Sequence, residues 1–406
     1  MAINEQEVAA LVEAVLKEMT SETKGGCNCG KSAGPVPNTA KVAMLTKLNN
    51  FEVQEYPIPP LGDDDILVKV EGCGVCGTDV HEWRKDPFGL IPVVLGHEGT
   101  GEIIAMGKNV KEDTQGNSVR IGDKVVTSVA VCGECPMCKL HPELPNLCEN
   151  SGIQGLLPDN EDCHLNGWFS SHMIIKKGVT FFNVSDMTLD QRMLVELAAV
   201  AVHAVRRATD TGLMPLGATI AIQGCGPVGL MVIAVLKTRG YRNIIAIDGT
   251  PMRLDMAKRF GASHTINFKD YKSLEDKVDY VKSVTHGLGA DFAFQCTGAP
   301  PAAAEVWKYV RKGGGLCEMG FFVNNGECSI NPHFDICQKE ITVVGSWTYG
   351  ALEYPDTISF VKQCCEMGIP LTDLITHRYG LDEMNEAMET NVAQKGLKIA
   401  YVNKEI

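Results

Sequence analysis

The sequence lacks long apolar runs, a secretion signal and an excess of basic residues. No stretch approaches the roughly 18 consecutive apolar residues that would span a bilayer. The N-terminus has no basic region followed by an apolar core, so we expect no secretory signal peptide. Lys and Arg total 37 against 50 Asp and Glu, and the net charge of −13 argues against nucleic-acid binding. These absences predict a cytoplasmic globular protein whose partners include neither a membrane nor a nucleic acid.

The composition is otherwise that of an ordinary globular chain. Its 406 residues are enough for two or three domains with substantial cores, and no internal repeat is present. Hydrophobic residues make up 45% and charged residues 21% of the chain. The 16 cysteines are many, but the chain is too long for a scaffold held together by dense disulfides. We therefore expect metal binding in a reducing compartment to account for some of them.

Four segments differ in their patterning. Residues 1–20 have the period of an amphipathic helix, and residues 21–39 form a linker rich in Gly, Ser and Pro. Residues 40–193 contain short strand-like segments separated by Gly and Asp, which indicates a β-rich domain with barrel-like pairing. Residues 194–346 alternate apolar strands with helices, which indicates a doubly wound parallel sheet. The fold class predicted is therefore α/β with a second, β-rich domain.

A glycine-rich turn follows the predicted strand "TIAIQ" and precedes an apolar helix. The turn reads Gly224, Cys225, Gly226, Pro227, Val228 and Gly229. In this context Gly224 permits a tight turn, Gly226 lets the backbone approach a pyrophosphate, and Gly229 allows close packing of helix on strand. The free N–H groups of the helix N-terminus suit phosphates. The motif predicts a dinucleotide site; the alternative is a glycine-rich turn of some other α/β fold.

The acidic residue that would select the dinucleotide is Asp248, at the end of the next strand "NIIAID". A carboxylate there can accept hydrogen bonds from the adenosine ribose hydroxyls and would repel a 2′-phosphate. Arg253 lies close enough in sequence to soften that repulsion. We expect the aspartate to dominate and the cofactor to be NAD rather than NADP.

Four cysteines in "CGECPMCKLHPELPNLC" have the spacing of a structural metal site. They are Cys132, Cys135, Cys138 and Cys148. Two successive C-x-x-C steps and a fourth cysteine can surround one Zn²⁺ tetrahedrally and leave no open position. The alternative is a set of disulfides or free thiols.

A second group of metal-ligating residue types is dispersed along the chain. Cys76 and His97 are natural ligands for a catalytic zinc, which takes three protein ligands and keeps one position open. Glu98 and Glu196 are both candidates for the third ligand. Glu196 stands inside the apolar stretch "LVELAAVAVHAV", where a carboxylate needs a reason to be buried. The alternative for Glu196 is a partly exposed or protonated side chain on a helix that links the domains.

Together these motifs resemble the medium-chain zinc-dependent alcohol dehydrogenase family. The segments that carry the resemblance are "GVCGTDVH", "GHEGTGE", the four-cysteine loop, "GCGPVG" and "CTGAP". It covers about residues 40–406 and is strongest for the sorbitol, threonine and butanediol dehydrogenase branch. It implies a GroES-like β-barrel catalytic domain formed by residues 40–193 and 347–406. It also implies a Rossmann NAD-binding domain formed by residues 194–346, with the active site in the cleft between the domains.

The resemblance also implies roles for individual residues. Cys76 matches the zinc ligand, whereas Cys73 does not and is expected to pack as a small apolar residue. Asp79 matches the carboxylate that orients the ligating imidazole. Thr78 matches the hydroxyl that contacts the substrate oxygen, and His81 matches the proton relay to solvent.

The cofactor and third-ligand assignments follow the same comparison. Thr297, in "CTGAP", joins the cofactor-binding residues. Glu196 matches the glutamate that replaces a cysteine ligand in the polyol branch, although this chain has "VELAA" there, and Glu98 stays open as the alternative. Four aromatic residues could line the substrate cleft or pack in a core: Trp168, Phe169, Trp347 and Tyr349.

The expected activity is interconversion of a small alcohol, diol or polyol with its aldehyde or ketone, using NAD and two zinc ions per subunit. Zinc would activate the alcohol oxygen and the nicotinamide would accept a hydride. The family also implies a homo-oligomer, either a dimer or a tetramer. An alternative from another class is an assembly or scaffold protein that keeps the dehydrogenase fold without turnover.

The N-terminal segment lies outside this family pattern and resembles the encapsulation peptides of bacterial microcompartments. Its apolar stripe consists of Val8, Leu11, Val12, Val15, Leu16 and Met19. An isolated helix of about 18 residues is marginal in water, so the stripe needs a partner surface. A shell or lumenal enzyme is the expected partner, and the microcompartment lumen the expected location. The alternatives are an oligomerisation arm and a helix packed on its own enzyme. We assign no role to Cys27 and Cys29.

Overall fold

The structure is a computed structural model that describes residues 36–160 and 163–404. The predicted helix over residues 1–20 and most of the linker that follows it lie outside the described residues. Within those residues no helix is both long and apolar enough to cross a membrane.

The regular elements run through the whole described chain. The strands are β1 (Thr39–Lys47), β2 (Asn50–Pro57), β3 (Ile66–Gly74), β4 (Val93–Val94), β5 (Glu98–Met106), β6 (Lys124–Thr127), β7 (His172–Ile175), β8 (Phe181–Asn183), β9 (Thr219–Gln223), β10 (Asn243–Asp248), β11 (His264–Asn267), β12 (Ala290–Gln295), β13 (Val310–Glu318), β14 (Thr342–Gly345), β15 (Ile375–Tyr379) and β16 (Lys398–Val402). The α-helices are α1 (Gly77–Lys85), α2 (Pro136–Leu140), α3 (Leu189–Arg192), α4 (Val195–Thr209), α5 (Pro227–Thr238), α6 (Pro251–Phe260), α7 (Leu274–Ser283), α8 (Pro300–Tyr309), α9 (Tyr354–Glu366) and α10 (Met384–Val392). Short 3-10 turns lie at Pro145–Leu147, Phe268–Asp270, Ala351–Glu353, Leu371–Leu374 and Leu381–Glu383, and a π-helical turn lies at Pro332–Cys337.

The first sheet is largely antiparallel and joins distant parts of the sequence. Its strand order is β15-β16-β3-β5-β6-β8, with β7 also paired to β3, and a separate three-stranded sheet has the order β2-β1-β4. β3 pairs antiparallel with β5 on one side and with the C-terminal strand β16 on the other. The predicted β-rich, GroES-like architecture is confirmed, and the chain beyond β14 returns to complete it.

The second sheet is parallel throughout. Its six strands have the order β11-β10-β9-β12-β13-β14, so the chain starts in the middle, winds to one edge and then crosses to the other. That reversal creates a crevice at the carboxyl ends of β9 and β12, where ligands of such sheets bind. The predicted doubly wound sheet is confirmed.

One apolar core connects the two sheets through helix α4. The cluster contains Val126 and Phe182 of the antiparallel sheet, Ile220 of the parallel sheet, and most of the buried residues of α4. The entry to α4 is fixed by the buried Arg192 of α3, whose guanidinium donates to the Thr100 hydroxyl at 3.1 Å. Arg192 also forms an ion pair with Glu71 of β3.

Strand β5 approaches its neighbours closely because it is rich in glycine. A Cβ at Gly99 would overlap the Trp168 indole, which is completely buried and donates from Nε1 to the Thr127 hydroxyl at 3.2 Å. Trp168 and Phe169 are both core residues, so of the two alternatives given for them, core packing is confirmed.

We predict that Gly99→Ala destabilises the fold. A methyl group there must displace Trp168, and overpacking of this kind costs about 1–3 kcal/mol. We expect a lower midpoint in denaturant unfolding and a lower melting temperature. Gly217→Ala is the matched control, because a Cβ at Gly217 meets no atom within 4 Å. Equal melting temperatures for the two variants would contradict the assigned packing.

Candidate active site

One buried carboxylate joins the two loops that carry the predicted catalytic ligands. Helix α1 begins after Cys76, and Asp79 in its first turn accepts a hydrogen bond from the Cys76 N–H at 2.8 Å. The same carboxylate accepts from the Gly96 N–H at 3.2 Å and lies 3.4 Å from His97 Nδ1. Asp79 is completely buried. The carboxylate therefore fixes the distance between Cys76 and His97.

The structure brings Cys76, His97 and Glu98 into one group. The Cys76 Sγ, one imidazole nitrogen of His97 and one carboxylate oxygen of Glu98 all lie within 4.8 Å of one another. Burial lowers the pKa of His97, but Asp79 and Cys76 raise it more, so its pKa lies well above the usual value. A thiolate, an imidazole and a carboxylate at this separation are a suitable ligand set for zinc.

Glu98 has a cationic partner that the sequence analysis missed. Its carboxylate forms a buried ion pair with Lys398 of β16. Gly74 of β3 leaves room for this carboxylate, since a Cβ there would overlap it. The sequence does contain a signal for this contact, which is the lysine inside the apolar strand "LKIAYV". A buried ammonium group requires a counter-ion, so this lysine could have predicted an acidic partner.

Glu196 faces the same group from helix α4 but lies outside the set that is within 4.8 Å. Its side chain is 8% exposed. Burial raises the pKa of its carboxyl to about 7, while His97 and the Tyr349 hydroxyl lower it. Glu196 is therefore an additional carboxylate at the edge of the candidate metal position.

Thr78 and His81 lie on helix α1 beside this group. The Thr78 hydroxyl is 3.6 Å from the Cys76 Sγ. His81 is half-buried, and its pKa is lowered by burial and by Lys85 and Arg84.

Phe322, which the sequence analysis also missed, links α1 to the parallel sheet. Its ring packs edge-on against His81, with ring centroids 5.4 Å apart, and lies where a Cβ at Gly77 would point. Phe322 follows the carboxyl end of β13, so the candidate metal group faces the crevice side of the parallel sheet. No local pattern singles out this aromatic residue, because its contact depends on the packing of the two sheets.

The glycine-rich turn has the geometry that the sequence predicts. Gly224 has φ +91°, which favours glycine, and Pro227 opens helix α5. A Cβ at Gly229 would overlap the Gly224 carbonyl oxygen, and a Cβ at Gly224 would lie 2.9 Å from Thr297. At Gly226, by contrast, a Cβ would meet nothing within 4 Å. The turn is closed on its sheet side and open at Gly226, as a phosphate-binding turn requires.

Asp248 stands next to this turn at the carboxyl end of β10. Its carboxylate accepts from the Cys225 N–H and from the Thr250 N–H, each at 2.9 Å. The Arg253 guanidinium lies 3.9 Å away. These contacts fix the carboxylate beside the glycine-rich turn.

The four cysteines of the loop gather around one point. Cys132 Sγ lies 3.5 Å from Cys148 Sγ and 4.0 Å from Cys138 Sγ, and Cys135 Sγ lies 3.9 Å from Cys148 Sγ. Tetrahedral zinc with Zn–S bonds of about 2.3 Å requires sulfurs about 3.8 Å apart. A disulfide requires about 2 Å. The N–H groups of Glu134 and Cys135 lower the pKa of Cys132 to about 6, which favours the thiolate that a metal binds. The loop therefore fits a closed zinc site.

The remaining predicted aromatic residues separate into two environments. Trp347 is 49% exposed and lines a 380 Å³ cavity at the carboxyl ends of β13 and β14, together with Phe321 and Phe322. Tyr349 is almost completely buried beside Glu196. Trp347 can therefore line a cleft. Tyr349 instead packs in the interior, beside the candidate metal group formed by Cys76, His97 and Glu98.

Comparisons with known proteins agree with this geometry. Residues 62–184 match the family described as alcohol dehydrogenase GroES-like domain, and residues 227–363 match zinc-binding dehydrogenase. The chain is 33% identical to a sorbitol dehydrogenase of Bacillus subtilis, over 87% of this chain and 94% of the relative. It is 32% identical to an L-threonine 3-dehydrogenase of Caldanaerobacter subterraneus, over 89% of this chain and 98% of the relative.

A solved alcohol dehydrogenase from Thermotoga maritima superposes with a TM-score of 0.83 at 30% identity, covering 90% of this chain and all of that one. Zinc and NAD are the cofactors that fit such proteins. The chain belongs to the zinc-binding, medium-chain alcohol dehydrogenase family.

Proposed function

We propose that this chain is a zinc- and NAD-dependent oxidoreductase that interconverts a small alcohol, diol or polyol with its aldehyde or ketone. The observation that carries the proposal is the group formed by Cys76, His97 and Glu98, which faces the crevice side of the parallel sheet. A scaffold protein without turnover would have no need to keep this buried ligand set. The geometry favours the enzyme over that alternative.

Cys76, His97 and Glu98 are the residues that hold the catalytic zinc in this proposal. Their separation supports Glu98 as the third ligand, and Lys398 balances part of its charge. Glu196 is a further carboxylate beside this group and could serve as the third ligand in place of Glu98. Cys132, Cys135, Cys138 and Cys148 hold the structural zinc.

When bound, zinc supplies a Lewis acid at the substrate oxygen and NAD supplies the hydride acceptor. The residues of the chain then position the substrate and the ligands and transfer the proton. The Thr78 hydroxyl is placed to accept the proton of the substrate hydroxyl group and to donate its own proton to the next acceptor. His81 is a suitable acceptor farther along; burial, Lys85 and Arg84 lower its pKa, which favours the neutral imidazole that can accept a proton. Asp79 holds the imidazole of His97 in the orientation that a ligand needs.

Asp248 supports NAD over NADP as the cofactor. Its fixed carboxylate offers acceptors to two ribose hydroxyls and would repel a 2′-phosphate. Arg253 is already engaged with Asp248, which reduces its value as a phosphate ligand. Gly224, Gly226, Pro227, Val228, Gly229 and Thr297 complete the proposed cofactor site.

The enzyme acts, in our proposal, as a homo-oligomer in the cytoplasm, within the lumen of a bacterial microcompartment. The support is the apolar stripe of the N-terminal segment and the linker that separates it from the dehydrogenase. The acidic polar face of the segment argues against a membrane surface.

We predict that Cys76→Ser abolishes turnover and removes one of two zinc ions per subunit. Loss of the Lewis acid removes several kcal/mol of transition-state stabilisation, so kcat should fall by about a thousandfold or more. The measurements are metal content by mass spectrometry and NADH absorbance with a panel of alcohols, diols and polyols in both directions, before and after chelation. Cys365→Ser is the control, since Cys365 is an exposed free thiol. A wild type without turnover on any substrate, or a Cys76→Ser variant that keeps two zinc ions, would reject the assignment.

We predict that Asp248→Asn weakens discrimination between NAD and NADP. Hydrogen bonds to a charged group are worth about 1.5–3 kcal/mol, so the KM for NAD should rise about tenfold or more while the KM for NADP falls. Asp255→Asn on helix α6 is a charge-matched control that leaves the carboxylate at β10 intact. An unchanged ratio of kcat/KM for the two cofactors would show that Asp248 does not select between them.

We predict that deletion of residues 1–35 releases the enzyme from microcompartment shells and leaves kcat and KM unchanged. The described fold begins after these residues, and β1 starts at Thr39. The measurement is co-purification with shells from cells that form them. Leu11→Asp on the apolar stripe should have the same effect, and Glu13→Gln on the polar face should have none. Truncated enzyme that still co-purifies with shells would contradict the proposal.

A further inference from the structure

The segment between β14 and α9 is fastened along helix α4. Glu353 accepts from His203 Nδ1 at 2.8 Å and from Arg206 Nη2 at 2.6 Å, and both partners lie on α4. The other carboxylate oxygen accepts from the Gly350 N–H at 2.9 Å. Glu353 and His203 are buried. The position of this segment along α4 is therefore fixed by a buried hydrogen bond to His203 and by an ion pair with the partly exposed Arg206.

Tyr349 lies within that segment, and its hydroxyl is close to two groups: the Glu196 carboxylate in the first turn of α4 and the Tyr354 hydroxyl. Its ring centroid is 5.7 Å from that of Tyr354, whose hydroxyl donates to the Thr127 carbonyl at 2.8 Å. The Tyr349 hydroxyl is sealed from solvent and makes no well-aligned hydrogen bond among the described residues. A buried hydroxyl without a partner costs about 1–3 kcal/mol. Of the two neighbouring acceptors, the Glu196 carboxylate is the stronger, because hydrogen bonds to an ionised group are stronger than those between neutral hydroxyls.

We propose that Tyr349 is a positioning residue for the metal group: its hydroxyl donates to one oxygen of Glu196 and turns the other oxygen toward Cys76 and His97. This inference rests on the proposed zinc function. A carboxylate has two oxygens, so one can accept from Tyr349 while the second stays available at the open metal position. Groups that hold a metal ligand by a hydrogen bond typically change metal affinity about 10–100-fold when removed. Glu196 lies outside the three-residue ligand set, so we expect an effect at the lower end of that range.

The phenol ring keeps its packing in Tyr349→Phe, and only the hydroxyl is lost. We expect zinc at the catalytic position to transfer to a chromogenic chelator about tenfold faster than in the wild type. Release from the four-cysteine site, followed in the same trace, should not change. Tyr241→Phe is the matched control, because Tyr241 is also buried and donates to the Met214 carbonyl at 2.7 Å. That variant should release both ions at wild-type rates.

A double variant tests whether Tyr349 acts through Glu196. In a Glu196→Gln background, Tyr349→Phe should cause no further tenfold acceleration of zinc release. Two results would overturn the inference. One is that the Tyr349→Phe single variant releases zinc at the wild-type rate, and the other is that Tyr349→Phe still accelerates zinc release about tenfold in the Glu196→Gln background. If Cys76→Ser lacks one zinc ion while Tyr349→Phe behaves as wild type, only the role of Tyr349 is wrong. If Cys76→Ser keeps both ions, the proposed zinc function itself fails and this inference fails with it.

Discussion

The whole candidate site depends on the hydrogen bonds of one carboxylate, that of Asp79. It accepts from the backbone beside Cys76 and from the backbone beside His97, and it lies against the imidazole itself. The loops after β3 and before β5 come together only because their strands are neighbours in the antiparallel sheet. By bonding to both loops, Asp79 fixes the distance between Cys76 and His97. The other parts of the site are arranged around this fixed pair.

Charge balance explains why so many ionisable groups can be buried together. Asp79, Glu98 and Glu196 lie within one poorly solvated region, and Lys398 supplies one buried cation beside them. Removal of unpaired charges from water is expensive, so a region with this excess of acidic groups favours a bound cation or protonated carboxyls. Burial raises the pKa of Glu196 to about 7, and the nearby Glu98 adds to this, although His97 and Lys398 act in the opposite direction. The same set of residues therefore explains the raised pKa of Glu196 and would favour the binding of a divalent ion.

The sequence predicted those features that short motifs encode. The glycine-rich turn, the four-cysteine loop and Asp248 each depend on residues that are close together in the sequence, and the contacts found there fit the proposed sites. The β-rich pattern and the alternation of strands with helices, both of which periodicity predicted, correspond to the antiparallel and parallel sheets. Lys398 and Phe322, by contrast, were missed. Each meets the site only through pairing or packing between segments far apart in the chain, and no local pattern records such a contact.

Tyr349 shows how a contact between distant segments changes the interpretation of a residue. An aromatic residue after the last strand of a parallel sheet suggests a cleft wall, and Trp347 has the exposure that such a wall requires. Two residues later, the ion pair between Glu353 and helix α4 draws the backbone inward, and Tyr349 becomes buried beside Glu196. Helix α4 runs from the metal group into the core shared by both sheets. The contacts that fix this helix and the returning segment therefore also fix the Glu196 carboxylate at the edge of the candidate metal position. The same contacts thus determine the packing between the sheets and the geometry of the candidate site.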